Sequence, residues 1–154
     1  MQNLRDLGFL TFHWCVIYYF RVLGLDNILN VRPYSINDFS PGGVFFTGNS
    51  FCSNWMSSAV SSGNVTDLLR YSWQLELCHN DWHMAIEERI GAPLMDPYIN
   101  IYYTAFWNLH FFLNNEFEAQ LNQYRANTGN PAVATAYQLL QDIERRYPGA
   151  IERI

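Results

Sequence analysis

The chain has four histidines, and two of them, His79 and His83, stand four residues apart in Cys78-His79-Asn80-Asp81-Trp82-His83. The run before them, Asp67 to Leu77, has apolar residues at helical spacing and Asp67 at the N-cap or in the first turn, which predicts a helix. Residues i and i+4 lie one above the other on a helix face, so both imidazoles can turn towards one metal ion. Imidazole-only sites suit copper, zinc or iron. The HExxH zinc peptidases share this spacing, but there the residue after the first His is the carboxylate that takes a proton from metal-bound water. Asn80 holds that position here and cannot act as a base, and Asp81 is turned about 100° further round the helix. Hydrolysis by that route is disfavoured. HxxxH pairs also arise by chance, so the pair alone does not separate two ligands from two surface histidines.

The other two histidines, His13 and His110, also fall in segments that read as helix, each flanked by large apolar residues: Phe12-His13-Trp14 and Leu109-His110-Phe111. The first predicted helix runs from about Leu4 to Leu25. It is apolar almost all round, as expected of a helix packed on several sides, and Gly24 is its stop signal. His13 alone would read as a core histidine with a hydrogen-bond partner. A second helix is predicted from about Thr66 to Ile90, closed by Gly91 and Pro93. A third opens at Asp96-Pro97, an N-cap followed by Pro at N1, and runs to about Tyr124. Its many rings, from Tyr98 to Phe117, predict burial between partners. A last helix has Asn130 as cap and Pro131 at N1 and runs to about Arg146, with an amphipathic pattern. Between the first two helices, Asp26 to Gly63 is rich in turn signals such as Pro41-Gly42-Gly43 and Gly48-Asn49-Ser50. Within it Val44 to Thr47 could form a short strand and Asn54 to Val60 a short helix. Connections this long are usually functional or mobile. The expected fold is all-α: an antiparallel helix bundle with one long irregular connection, able to gather ligands in its core.

Composition narrows the alternatives. At 154 residues the chain has the length of one domain, and 49% hydrophobic residues with 17% aromatic ones are ample for a core. Net charge is −5, and all nine basic residues are Arg. With no basic block, nucleic acid is not an expected partner. The apolar run Phe9 to Leu25 is interrupted by His13 and Arg21, so a buried helix is expected rather than a membrane span. The N-terminal residues lack the features of a signal peptide. Asn64-Val65-Thr66 is a glycosylation sequon, informative only on a secretory route. Cys15, Cys52 and Cys78 form no CxxC pair and suggest no disulfide framework, which favours a reducing compartment, the cytoplasm.

The histidines and their neighbours resemble the type-3 copper family of tyrosinases, catechol oxidases and haemocyanins. His79-Asn80-Asp81-Trp82-His83 is similar to the HNxxH segment of that family's second copper site. Phe106-Trp107-Asn108-Leu109-His110-Phe111-Phe112-Leu113-Asn114-Asn115-Glu116-Phe117 resembles the segment F-x-x-(H/W)-H-x-x-(I/V)-D-x-(I/L)-(F/W), with His110 on the third ligand and Asn114 in place of Asp. Phe9 to Arg21 resembles F-(L/F)-x-W-H-R-x-(Y/L)-x-x-x-(F/Y)-E around the last ligand of the first site. His13 falls on the ligand there, while Trp14 stands for Arg and Arg21 for Glu. A competing register would align Asp96-Pro97 with the family's Asp-Pro and put Tyr102-Tyr103 at the ligand position, seven residues away. The flanking pattern favours His110.

The resemblance implies the type-3 copper bundle, with His13, His79, His83 and His110 as metal ligands and two copper ions in the complete site. It implies dioxygen and phenolic small molecules as substrates, and ortho-hydroxylation of phenols or oxidation of catechols. Asn80 matches the residue that holds a water near the metals; as an amide it would orient that water, not deprotonate it. The family's first site takes two further histidines from a preceding helix, and no histidine precedes His13 here. The expectation is therefore an N-terminally incomplete domain, or one with only the second copper site complete, and a poor oxidase as it stands. The alternative is a non-catalytic helical domain of the same fold: an oxygen carrier, a one-metal protein or a partner-binding module.

Overall fold

The computed structural model describes residues 13–48, 52, 65–123, 138, 141–142 and 145–146. Helix α1 covers 13–22 and ends in a turn at Gly24, whose φ of 69° is left-handed. A single helical turn, α2 (Leu25–Ile28), follows. Helix α3 (Val65–Ile90) carries the HxxxH pair, and helix α4 (Thr104–Gln123) carries His110. No strand occurs among the described residues. None of their helices is long and apolar enough to cross a membrane. The described residues between 138 and 146 are helical; the expected cap at Asn130-Pro131, the short helix over Asn54 to Val60 and the sequon asparagine lie outside the described residues.

Two helix pairings position the site. On α3, Leu75, Cys78, Trp82, Ala85 and Ile86 are buried, at the three- and four-residue spacing of one helix face. His79 meets His110 while His83, four residues on, meets Phe106, four residues back. The two helices therefore run antiparallel. Helix α1 lies antiparallel to α4 by the same test: Trp14 reaches Glu118, and Phe20 stacks on Trp107 with ring centroids 3.6 Å apart. Helix α4 is buried nearly all round between Ala105 and Asn114, as its apolar sequence requires. Helix α1 is less enclosed than expected, for Tyr19, Val22 and Leu23 are exposed.

The described part of the long connection is pinned to α4. Asn108 accepts from the Arg32 and Tyr34 backbone N–H groups, through its side chain and its main-chain carbonyl. A 3-10 turn, Ile36–Phe39, is opened by a capping box of Ser35 and Asp38. It delivers Phe39 between Trp82 and Phe112, at 4.7 and 5.9 Å between centroids. The strand expected at Val44 to Thr47 is a turn and coil. There the Phe45 N–H bonds the Asp38 carbonyl, folding the segment back on itself. A side chain at Gly43 would run into the Asn37 and Asp38 carbonyls, so only glycine allows that return.

Helix α3 stops where expected, with Gly91 at φ 73°. The third helix does not open at Asp96-Pro97. The Asp96 carboxylate instead accepts from the Tyr98 N–H at 2.9 Å, an Asx turn that competes with helix. A 3-10 turn follows (Asn100–Tyr102), Tyr103 is extended, and the α-helix begins at Thr104. Tyr98, Tyr102 and Tyr103 are consequently exposed, not buried as their place in an aromatic run suggested.

The cysteine reading also requires correction. Cys52 and Cys78 form a disulfide, leaving Cys15 free. The partners lie 26 residues apart and share no local motif. The bond removes the basis on which a reducing compartment was favoured.

Three departures from the copper-family patterns meet at one carboxylate. Glu118 Oε1 accepts from Trp14 Nε1 at 2.8 Å and from Asn114 Nδ2 at 2.9 Å, and Arg21 lies 4.0 Å away. Arg21 also sits over the Phe111 ring, 4.9 Å from its centroid. Bonds to a charged acceptor are worth roughly 1.5–3 kcal/mol each, and their loss strands buried donors. Glu118→Ala is expected to cost about 2 kcal/mol or more in urea unfolding, and Glu118→Gln, which keeps an acceptor, less. Equal costs would show that the two donors do not depend on this acceptor.

Candidate metal centre

The four histidines line one cavity of about 270 Å³ between α1, α3, α4 and the turn after α3. His79, His83 and His110 are buried and His13 half-buried. Ring centroids lie 5.4 Å apart for His13 and His79, 4.9 Å for His13 and His110, and 5.0 Å for His79 and His110. His83 is 4.3 Å from His79 and 5.1 Å from His110 on the same measure. Nε2 of His79 and Nε2 of His110 are 3.1 Å apart. Two nitrogens on one tetrahedral ion at about 2 Å each would be separated by about 3.3 Å.

Hydrogen bonds fix two tautomers. A carbonyl only accepts, so His110 Nδ1–H donates to the Phe106 carbonyl at 2.7 Å. His83 Nδ1–H likewise donates to the Leu94 carbonyl at 2.9 Å, which Asn100 Nδ2 also bonds. In each neutral ring Nε2 is then a lone pair. Hydrogen bonds of this kind, from the far ring nitrogen to a carbonyl, orient metal-binding imidazoles. His83 Nε2 is buried with no hydrogen-bond partner, a cost of roughly 1–3 kcal/mol unless a cation or donor meets it. His79 Nδ1 lies 3.2 Å from Asn80 Oδ1. With the ring proton on Nδ1, His79 Nε2 and His110 Nε2 present two lone pairs 3.1 Å apart, which a cation between them would join; with it on Nε2, His79 donates directly to His110. The donor set thus fits a transition-metal ion.

The electrostatics agree. Burial, then the neighbouring His83 and His13, pushes His79 down to about 2. His83 is lowered, chiefly by burial. His110 is held well below the ordinary range by burial, then by His79, His13 and His83. All three rings are neutral near pH 7, the form that binds metal.

No protein-family model, curated protein or solved structure matches the chain. The resemblance to type-3 copper proteins therefore rests on the sequence patterns around the histidines alone.

Of the residues singled out in the sequence, His13, His79, His83, His110 and Asn80 all border the cavity. Tyr102 and Tyr103 are exposed, and neither borders it, so the His110 register is the one that meets the HxxxH pair. The grouping within the cavity differs from the expected one. Ligand atoms of His13, His79 and His110 lie within 4.8 Å of one another, and His83 is outside that set. Asn80 Oδ1 lies 3.2 Å from His79 Nδ1. Phe106 and Leu94 were missed. Phe106 is four residues before His110, a relation readable from helical spacing, and its ring also stacks on His110 at 3.8 Å. Nothing in the sequence marks Leu94.

Proposed function

We propose that the chain is a copper-binding, tyrosinase-like oxidoreductase domain acting on phenols or catechols with dioxygen. The observation that carries the reading is the convergence of four imidazoles from three helices on one cavity, with Nε2 of His79 and His110 3.1 Å apart. His13, His79, His83 and His110 are the donors from which an ion would draw its ligands. Imidazole-held copper supplies one-electron redox chemistry towards dioxygen. The chain's own residues supply position and an apolar wall. The Phe106 and Leu94 carbonyls hold the rings of His110 and His83, and Asn80 lies beside His79. Leu94, Pro97 and Phe106 give the cavity apolar wall. A cavity of about 150 Å³ takes a benzene ring, so about 270 Å³ suffices for one phenol.

A coupled pair of ions in this family takes six imidazoles, and the chain has four histidines. One copper per chain is therefore the expected stoichiometry, measured by metal analysis after loading and desalting. His110→Ala should abolish tight binding. Catechol oxidation above that of free copper, lost in the same variant, supports the oxidoreductase. Copper binding without turnover favours the non-catalytic alternative. Copper retained at full stoichiometry by His110→Ala would sink the site.

A further inference from the structure

We propose that the ion is held by His13, His79 and His110, one imidazole from each of three helices, and not by the His79, His83 and His110 set that the HNxxH resemblance implies. The inference rests on the metal-binding reading above and assigns its ligands.

Three observations carry it. First, ligand atoms of His13, His79 and His110 all lie within 4.8 Å of one another, and no such group among the described residues includes His83. Second, the three ring separations are compatible with a single centre and more even than those of His83, which lies 4.3 Å from His79 and 5.1 Å from His110. An imidazole centroid lies about 1.1 Å behind its coordinating nitrogen, hence about 3.2 Å from the ion, and two such rings at a tetrahedral angle are about 5 Å apart. The three pairs measure 5.4, 4.9 and 5.0 Å. Third, the same kind of bond that aims His110 Nε2 into the group leaves His83 Nε2 outside it. The His83 Nδ1–H is tied to the Leu94 carbonyl, which the Asn100 side chain also bonds. The left-handed Gly91 starts the turn that presents that carbonyl.

On this assignment His83 is a wall residue. Its Nε2 lone pair, buried and without a partner, accepts a hydrogen bond from a ligand that carries an O–H group, water or a phenol. The HxxxH pair then splits into one ligand and one acceptor, and α1 becomes part of the metal site.

The test uses Cu(II) and Zn(II) themselves, titrated against a competing chelator, on the whole chain and on His13→Gln, His13→Ala, His83→Gln and His83→Ala. Loss of a ligand should weaken binding on the order of 100-fold or more, since even outer-shell partners are worth 10–100-fold. Both His13 variants should show that loss; both His83 variants should stay within roughly fivefold of the parent. The Cu(II) electron paramagnetic resonance spectrum gives a second readout that needs no His13 variant. The hyperfine pattern of three nitrogens should persist in His83→Gln. The converse result, or an equal loss at both positions, overturns the assignment while leaving the proposed metal-binding function intact. Failure of the parent chain to bind either ion would instead remove that function.

Discussion

In chelator, the protein is expected to lose about 1 kcal/mol of stability or more per pH unit as the pH falls below about 6. The groups responsible are His79, His83 and His110. Burial is the first cause of the lowering at each, and in His79 it combines with its histidine neighbours to bring the ring to about 2. In the unfolded chain the same rings titrate near 6.5. Above that value neither state binds a proton at these sites, and the stability they confer is fully present. Below it the unfolded chain takes up protons that the folded chain refuses, so stability falls with pH. A ring brought to about 2 alone removes about 1.4 kcal/mol per pH unit over this range, and His83 and His110 act in the same direction. Urea midpoints measured from pH 7.5 to 4.5 check this. A midpoint that stays level between pH 7 and 5 would show that these rings are not held neutral in the fold.

Reduction of the Cys52–Cys78 bond is expected to cost about 3 kcal/mol. The partners are 26 residues apart, and closing a loop of that length restricts the unfolded chain by about 3.5 kcal/mol in the chain-entropy model. Both cysteines are buried, and Cys78 directly precedes His79. Urea unfolding with and without reductant gives the number, and the double variant Cys52→Ala with Cys78→Ala should match the reduced protein. An unchanged midpoint on complete reduction would mean that the bond confers nothing.

What could be read from the sequence was local. Helix α3 and its stop at Gly91 follow from periodicity and one left-handed glycine, and the facing of His79 and His83 follows from helical spacing. His110 was preferred over Tyr103 on flanking residues, and the extended Tyr103 puts the two on different elements. The misses share a cause. The Asx turn at Asp96 is a side chain competing with the backbone for an N–H, where a cap and an Asx turn use the same residue types. The pairing of Cys52 with Cys78, the Leu94 carbonyl beneath His83 and the meeting of Trp14 with Glu118 join residues that only the fold brings together. The grouping of His13 with His79 and His110 is of this kind too. Spacing along α3 says which rings share a face, but not which of them the α3–α4 turn will draw aside.

Glu118 has a consequence for how the chain could change. Trp14, Arg21 and Asn114 stand where the type-3 copper patterns have Arg, Glu and Asp, and all three address that one carboxylate. Taken singly, each exchange towards the pattern is opposed. Arg21→Glu would bring a second carboxylate to Glu118, Asn114→Asp would do the same from α4, and Trp14→Arg would exchange a buried indole for a second guanidinium at Glu118. Charge balance is kept only when the steps are combined, because a guanidinium gained at 14 can offset a carboxylate gained at 114. Substitutions at the four positions are therefore expected to be non-additive, because each alters the surroundings of the same carboxylate.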